Sequence, residues 1–556
     1  MLSPVGRHTF CSPVSHIMSS YKTTVRLILI LLAVLLVGAA LGVILERSAL
    51  RDTYRTVREG DKLGWALTQI ENRYVDPISR DSLAELAVPL LLQELDPHSV
   101  YIPAEEFAST NEPLTGTFDG IGVMFNMLSD TVQITNVISG GPSSAAGIVA
   151  GDRIITVNDS LIAGVKMDQD KVVKMLRGKR GSTVRLGILR APAEELLPIT
   201  VTRGAIPVKS LEAAFLVPGH PEIGYIRFGH FAASTHTEVM SALTQLREQG
   251  ARKIILDLRE NGGGYLDQAI YIINEFLPGG QRIVYTEGHA SRRADQFADG
   301  RGRFLDMDIA VVIDENSASA SEIVAGAIQD NDRGVIVGRR SFGKGLVQEQ
   351  ISFPGDGSAM RLTIARYYTP VGRSIQKPYT PGNDAEYHAE VMRRFEHNEM
   401  LTADSIRQDD SLRFVTPGGK VVYGGGGIMP DVFVPIDTTF ITPYFSKLFQ
   451  KNLIFRYASQ MSDRYRKEIN AITTLAELDR FFADKNLFFD FVAYADRQGV
   501  RPTETEMTLS RAMITAQIKA YIGRNTALNE NAFYYYILPQ DKTLLRSVQA
   551  LEEREG

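Results

Sequence analysis

The sequence predicts a multidomain protein with an α/β core, a small mostly-β domain before it and helical segments at both ends. Its 556 residues are too many for one compact domain, because domains usually hold about 100–200 residues. Within residues 205–385, continuous apolar strands alternate with helices, which is typical of a sheet buried on both faces. Within residues 113–204, short β-type runs are separated by Gly, Pro and Asn turns instead.

The composition excludes several functional classes. Hydrophobic residues make up 44% of the chain and charged residues 22%, which excludes a disordered, collagen-like or polytopic membrane protein. The net charge of −5 argues against nucleic acid as the main partner. The single cysteine, Cys11, excludes a disulfide framework, a Cys₄ zinc site and an iron–sulfur cluster, and the nine histidines form no His-Glu-x-x-His array. We therefore expect no metal or other cofactor.

Residues 27–45 are expected to form a single-pass transmembrane anchor. This stretch carries no charge, and as a helix it would be about 28 Å long, close to the thickness of a bilayer core. Arg7, Lys22 and Arg26 precede it and no acidic residue does. The positive-inside rule then places residues 1–26 in the cytoplasm and the rest of the chain on the periplasmic side of the cytoplasmic membrane. A cleaved signal peptide is the alternative, although its apolar region is usually shorter.

The region after this stretch, residues 46–112, is expected to be helical. Apolar residues recur at helical spacing over 63–75, and a second helix is predicted over 82–95. The second helix ends before Asp96-Pro97-His98-Ser99, and we interpret His98 as a turn residue that follows a helix.

The C-terminal part of the chain has two predicted sections. A glycine-rich segment over 421–434 predicts a pair of strands. The residues that follow it show helical periodicity, and their sequence carries no chemical motif. The expected division is a cytoplasmic tail over 1–26, an anchor over 27–45, a helical region over 46–112, a β domain over 113–204, a core over 205–435 and a helical extension over 436–556.

The β domain begins with Gly120, Ile121, Gly122 and Val123, directly before a strand. Glycines at this position allow backbone N–H groups to converge on an anion, for which a carboxylate is suitable. A glycine turn without a ligand is the alternative. Together with Gly151-Asp152-Arg153-Ile154-Ile155 downstream, the segment resembles a PDZ domain. A PDZ domain takes a peptide C-terminus as an added strand and holds its carboxylate in the glycine loop.

Three Gly- or Ser-rich loops follow strands of the α/β core, at the strand ends where open α/β sheets place their sites. They are Asn261–Gly264, Ser317–Glu322 and Ser341–Gly345. The third loop has the spacing of a P-loop, but Gly345 stands where a P-loop needs Ser or Thr to bind magnesium. The residues that follow, 346–353, predict a strand rather than the required helix. Nucleotide binding is therefore not expected.

Lys344 and a serine could form a catalytic dyad. Burial lowers the pKa of a lysine, so that its neutral amine can accept a proton from a serine, and this chemistry needs no histidine. Ser317, Ser319 and Ser321 alternate, so spacing alone does not choose among them. Ser319 stands three residues before Glu322, in a capping box that opens a helix, and capping is its alternative role. A nucleophile at that position would also lie beside free N–H groups that can stabilise an oxyanion.

The two chemical segments together are similar to a known active site. SASASEIVAGAIQD followed by SFGKGLVQ resembles the active-site pair of the C-terminal processing peptidases, or tail-specific serine proteases. The resemblance extends over residues 63–435 and includes the Asp96-Pro97-His98-Ser99 segment, the PDZ-like domain, LDLRENGGG and GIMPD. Each motif is modest, but their order along the chain is specific to this family.

The resemblance implies roles for individual residues. Ser319 would be the nucleophile, Lys344 the general base and Gln348 the residue that orients the lysine, although Gln348 could also be an exposed strand residue. The N–H of Ala320 and one from the 262–264 loop, for which Gly263 is favoured, would form the oxyanion hole. The fold implied for the catalytic part is crotonase-like α/β.

The resulting hypothesis is a membrane-anchored serine endopeptidase that cleaves envelope proteins near their C-termini. Its partners would be protein or peptide substrates with free C-termini and the inner membrane. The sequence does not decide whether it forms a homo-oligomer. The alternative is a non-catalytic PDZ scaffold of the cell envelope. A Ser-His-Asp hydrolase that uses His230 or His236 is a third interpretation, but the sequence lacks a nucleophile elbow.

Overall fold

The computed structural model describes residues 32–42, 61–127, 130–138 and 140–554, and the chain divides into two compact units, Met1–Val88 and Pro89–Gly556. In the first unit, residues 32–42 are helical. Helix α1 (Lys62–Arg73) begins after Asp61, whose carboxylate accepts a hydrogen bond from the Gly64 amide at 2.7 Å. Helix α2 (Arg80–Gln93) continues into the second unit. Both helices lie where the sequence predicts them.

The predicted anchor over 27–45 is wrong. Among the described residues, no helix combines the length and the apolar character that crossing a membrane requires. Residues 27–31 and 43–45 of this stretch and the predicted tail 1–26 lie outside the described residues. The expected location, with a single pass through the cytoplasmic membrane and the catalytic part in the periplasm, depended on this anchor and is contradicted with it.

A small mostly-β domain opens the second unit. Its elements, with the two that precede it, are β1 (Val100–Ile102), α3 (Ala104–Thr115), β2 (Thr117–Gly120), β3 (Val123–Met127), β4 (Val132–Val137), α4 (Pro142–Ala145), β5 (Arg153–Val157), β6 (Ser160–Leu161), α5 (Gln169–Leu176), β7 (Thr183–Leu189), β8 (Leu196–Thr202) and β9 (Gly204–Pro207). The main sheet has the order β3-β4-β5-β7-β8, with β6 paired to β5, and β2 pairs with β9. Strand β7 alternates between exposed and buried residues, as expected for a strand with one face on a core.

The α/β core follows. Its strands are β10 (Leu211–Val217), β11 (His220–Phe228), β12 (Lys253–Asp257), β13 (Arg282–Glu287), β14 (Ala294–Phe297), β15 (Asp308–Ile313), β16 (Val335–Gly338), β17 (Leu346–Ser352), β18 (Ala359–Tyr368), β19 (Arg413–Val415), β20 (Val421–Tyr423) and β21 (Val432–Phe433). Its helices are α6 (Thr235–Glu248), α7 (Leu266–Asn274), α8 (Ala320–Asp330) and α9 (Asp384–Glu396).

Two sheets position the loops that carry chemistry. The first has the order β10-β11-β12-β15-β16-β21 and is parallel from β11 to β21. Every residue of β12 is buried, in agreement with the predicted two-sided burial. The second sheet is antiparallel, with the order β1-β18-β13-β14 and β17 paired to β18. The loop between β16 and β17 therefore passes from one sheet to the other.

The predicted strand pair over 421–434 is wrong in its pairing. Both strands form, but β20 pairs with β19 and β21 pairs with β16. The glycine run between them, 424–427, packs closely against neighbouring backbone and side chains, so that a Cβ at any of its four positions would meet another atom within 3.0 Å.

Helices form the rest of the chain. They are α10 (Pro443–Gln450), α11 (Leu453–Arg464), α12 (Arg466–Ala471), α13 (Leu475–Ala483), α14 (Leu487–Arg497), α15 (Glu504–Gly523), α16 (Glu530–Ile537) and α17 (Lys542–Glu553), with 3₁₀ turns at Ala403–Ser405, Asp410–Leu412 and Leu538–Gln540. Most of them share one hydrophobic cluster of their own. Leu544, Val548 and Leu551 of α17 instead pack on Phe215 and Tyr225 of the first sheet.

Candidate active site

The loop between β15 and α8 carries the three alternating serines, which differ in how deeply they are buried. Ser317 is fully buried, donates to the Leu258 carbonyl at 2.8 Å and accepts from the Asp314 amide at 2.9 Å. Ser321 is also fully buried and donates to the Asn261 carbonyl at 2.8 Å. Ser319 is only half-buried. Two of the serines thus hold the backbone of the loop, and Ser319 is the one with access to a substrate.

The backbone of Ser319 is strained. Its φ of 56° and ψ of −114° lie outside the regions that a residue with a Cβ prefers, and such a conformation costs about 1–3 kcal/mol. Its carbonyl accepts hydrogen bonds from the Ile323 amide at 3.0 Å and from the Tyr367 hydroxyl at 3.1 Å. These bonds hold the strained residue at the N-terminus of α8.

A fully buried carboxylate joins the serine loop to the lysine loop. Glu322 accepts hydrogen bonds from the backbone amides of Ser319 at 2.9 Å, Gly343 at 2.8 Å and Lys344 at 2.8 Å. It also accepts from the Ser341 hydroxyl at 2.6 Å. Burial raises the pKa of Glu322 to about 7, although these hydrogen bonds favour its ionised form. The sequence indicates Glu322 only as part of a capping box, and its contacts with the second loop could not be foreseen.

Lys344 lies just before β17 and its amine is largely removed from water. Burial, followed by the positive charge of Arg361, lowers the pKa of Lys344 to about 8. Its Nζ donates to Gln348 Oε1 at 3.0 Å. Within the described part of the chain, no hydrogen bond joins this amine to Ser319 Oγ.

Gln348 lies on β17, opposite Thr363 of β18, next to an irregularity in the register. Its side-chain amide donates to the carbonyl of His98 while its Oε1 accepts from Lys344. The interpretation of Gln348 as an exposed strand residue is therefore wrong, because both ends of its amide are hydrogen-bonded inside the site.

His98 belongs to the site, although its sequence context indicates only a turn. Asp96 builds that turn: it accepts from the His98 and Ser99 amides at 2.9 and 3.0 Å, and from Thr363 Oγ1 at 3.1 Å. The His98 ring nitrogen Nε2 lies 2.9 Å from the hydroxyl of Tyr387 on α9. Burial, followed by the charge of Lys344, lowers the pKa of His98 to about 3, so its ring is neutral. Only the position of this segment within the family resemblance could have indicated its role.

The glycine loop 261–264 packs directly against the serine. A Cβ on Gly263 would lie 2.7 Å from the Ser319 Cβ and 3.0 Å from the Ala320 nitrogen, so only glycine fits here. The φ of Gly263, +101°, makes the same demand. The Gly263 amide donates to Asn261 Oδ1 at 2.9 Å, whereas the Ala320 amide, the first of α8, has no acceptor among the described residues.

The loop Gly120–Val123, which is predicted to bind a peptide carboxylate, lies in the β domain. Gly120 ends β2 and Val123 begins β3, which is the edge strand of its sheet and pairs only with β4. In the described chain, the amides of Ile121 and Gly122 between them have no hydrogen-bond acceptor. The φ of Gly122, +76°, turns the backbone at this point. Free amides beside an open strand edge are the features that a peptide C-terminus needs.

The two histidines of the third interpretation do not contact the serine. His236 Nε2 lies 3.2 Å from Glu275 Oε1, and His230 Nε2 is buried without a hydrogen-bond partner among the described residues. Neither histidine is hydrogen-bonded to Ser319 in this part of the chain. The geometry gives no support to a Ser-His-Asp triad.

Three family models match the chain. They are peptidase family S41 over residues 222–383, the PDZ domain over 120–201 and a family of unknown function, DUF8443, over 444–527. The first of these covers the serine, lysine and glycine loops, and the second covers the free amides at Ile121 and Gly122.

Curated relatives agree with these matches. A carboxy-terminal-processing protease of Bartonella bacilliformis is 34% identical over 357 residues, which is 63% of this chain and 80% of the relative. A probable CtpA-like serine protease of Staphylococcus haemolyticus is 34% identical over 350 residues, which is 63% of this chain and 68% of the relative. Among solved structures, a photosystem II D1 C-terminal processing protease is 27% identical with a TM-score of 0.33, and the match covers 57% of this chain and 85% of that one.

Proposed function

Because the chain belongs to the carboxy-terminal-processing proteases, serine-type peptidases with an S41 peptidase domain and a PDZ domain, we propose that it is an endopeptidase that uses a Ser319–Lys344 dyad. The observation that carries this proposal is the shared Glu322 carboxylate, which holds the backbones of both residues. Through its backbone bonds, this carboxylate links the half-buried serine of the loop to a lysine whose pKa is lowered by burial.

The proposed reaction is acyl transfer. The neutral amine of Lys344 takes the hydroxyl proton of Ser319 as Oγ bonds to the peptide carbonyl carbon. The resulting ammonium gives this proton to the leaving amine as the C–N bond breaks, and water then releases the acyl group by the same route. Gln348 orients the lysine through the hydrogen bond to its Nζ.

We assign the oxyanion hole to the amides of Ala320 and Gly263. The Ala320 amide is free and lies at the N-terminus of α8, where the helix dipole also favours negative charge. The Gly263 amide must exchange or share its bond to Asn261 Oδ1 to take part. Within the same proposal, residues 205–435 form a crotonase-like core and residues 113–204 form the PDZ domain.

The proposed substrate is a protein with a free C-terminus. Its tail would add to the open edge of β3, and its terminal carboxylate would accept hydrogen bonds from the loop Gly120–Val123. The free amides of Ile121 and Gly122 support this binding mode. The proposal concerns the chemistry of the tail and names no cellular compartment.

The dyad makes the activity depend on pH in a defined direction. Only the deprotonated amine of Lys344 can act as the base, and its pKa is about 8. We expect kcat/KM for an unfolded reporter protein to rise about tenfold per pH unit below pH 8 and to level off above it. Melting curves at each pH serve as the control that the enzyme stays folded. A flat profile between pH 6 and pH 9 would contradict a lysine base.

Tail capture is tested with a pair of peptides that differ only at the C-terminus. An amidated tail lacks the charge that the amides of Ile121 and Gly122 can bind, so we expect its KM to rise about tenfold while kcat changes little. The measurement is steady-state cleavage of the two peptides under identical conditions. Equal KM values would show that the carboxylate is not recognised.

A further inference from the structure

The segment between β18 and β19 folds over the lysine loop and binds its backbone. Arg394 of α9, with 3% of its surface exposed, donates to the carbonyls of Ser341 at 2.7 Å and Phe342 at 3.0 Å. The Lys377 amide donates to the Gly343 carbonyl at 2.9 Å. One segment thus holds three consecutive carbonyls of the loop. These carbonyls belong to the residues directly before Lys344, so the segment helps to fix the backbone position of Lys344.

Tyr387 of α9 contacts residues of the site through both its ring and its hydroxyl. It is 2% exposed, and its ring packs edge-on against those of His98 and Phe342, with centroids 5.2 and 5.8 Å apart. Its hydroxyl accepts from Gln376 Nε2 at 3.3 Å and lies 2.9 Å from His98 Nε2. The Tyr387 hydroxyl and His98 Nε2 thus share one hydrogen bond, which either tautomer of the neutral ring can make.

His98 is in turn connected to Lys344 through Gln348. Its carbonyl accepts from the Gln348 amide nitrogen. With the nitrogen so engaged, the amide of Gln348 can present only its oxygen to Lys344, and Oε1 lies 3.0 Å from Nζ. The Tyr387 hydroxyl, the ring and the backbone carbonyl of His98, and the side chains of Gln348 and Lys344 therefore form one continuous chain of contacts.

We infer that Tyr387 is a positioning residue, which acts through His98 and Gln348 to hold the amine of Lys344 in place for the serine. This inference rests on the proposed function. The tyrosine touches no reacting atom. Its effect should therefore appear in the chemical step and not in substrate binding, since the PDZ loop that receives the tail is separate from this chain of contacts.

The test is the Tyr387→Phe enzyme, which keeps the ring and loses only the hydroxyl. We expect kcat to fall about tenfold with KM unchanged, because a base displaced by a fraction of an ångström reacts more slowly. Tyr379→Phe is the matched control: Tyr379 lies in the same segment, packs edge-on against Tyr387 at 6.4 Å, and its hydroxyl has no hydrogen bond among the described residues. This control should keep the wild-type kcat.

A double-mutant cycle separates positioning from folding. In a His98→Ala background, Tyr387→Phe should cause no further loss of kcat, because the ring that links Tyr387 to the rest of the chain of contacts is already absent. A further tenfold loss in that background would overturn the inference, as would a normal kcat with only a lower melting temperature. All enzymes of the cycle are assayed with the same substrate, and Ser319→Ala must abolish its cleavage. Failure of that requirement would contradict the dyad, whereas failure of the cycle contradicts only the role of Tyr387.

Discussion

Replacing Ser319 with alanine is expected to reduce kcat/KM for an unfolded protein substrate by about 10⁴-fold or more, because the nucleophile is removed. The fold should persist. The backbone bonds of residue 319 to Glu322 and Tyr367 do not involve its hydroxyl, and alanine has the same Cβ in the same strained conformation. The measurement is cleavage followed by mass spectrometry, together with a melting curve.

Ser317→Ala is the matched control, two residues away in the same loop. It leaves the Asp314 amide buried without its partner and removes one of the donors to the Leu258 carbonyl, which keeps the Asn261 amide; the lost partner costs about 1–3 kcal/mol of folding free energy. This enzyme should melt at a lower temperature and still cleave its substrate. If Ser317→Ala abolished cleavage at full stability while Ser319→Ala did not, the assignment of the nucleophile would be reversed.

Lys344→Arg is expected to lose activity by about 10³-fold or more at every pH, because a guanidinium does not give up its proton in a protein. The positive charge and much of the side-chain volume are kept. The loss would therefore report the missing base and not a missing charge. The measurement is the pH profile of kcat/KM, which should become flat as well as low.

Lys485→Arg provides the comparison for this substitution. Lys485 is also largely buried, with 14% of its side chain exposed, but it lies among the C-terminal helices and pairs with Asp484. Its replacement should leave both the rate and the pH profile unchanged. A Lys344→Arg enzyme that retained a rising limb near pH 8 would assign the titration to another group.

Much of the fold follows from local patterns. The continuous apolar runs of β11, β12 and β15 predict strands that are buried on both faces. The spacing of apolar residues in α6 and α8 predicts helices. The pairing of β20 and β21 could not be predicted from the same runs, because their partners lie elsewhere in the chain. The anchor predicted over 27–45 is contradicted, because no helix among the described residues has the length and apolar character that a membrane span requires.

The sequence also indicates some residues of the candidate site and not others. Ser319, Lys344 and Gln348 are found from motifs that lie within 30 residues of one another. Spacing could not exclude Ser317 and Ser321, because their burial depends on carbonyls of a loop about 60 residues earlier. Tyr387 and His98 are 289 residues apart, and no local pattern announces a contact at that separation.

The carboxylate of Glu322 has a consequence for how this enzyme becomes ready to react. The backbone amides of Ser319 and Lys344 both donate to its Oε2, so one oxygen atom holds the main chain of both residues when the protein folds. In the proposed mechanism, the approach of Nζ to Oγ would then need rotations about side-chain bonds and no displacement of the main chain. Under that mechanism, the fold would therefore set the main-chain positions of both dyad residues before a substrate arrives.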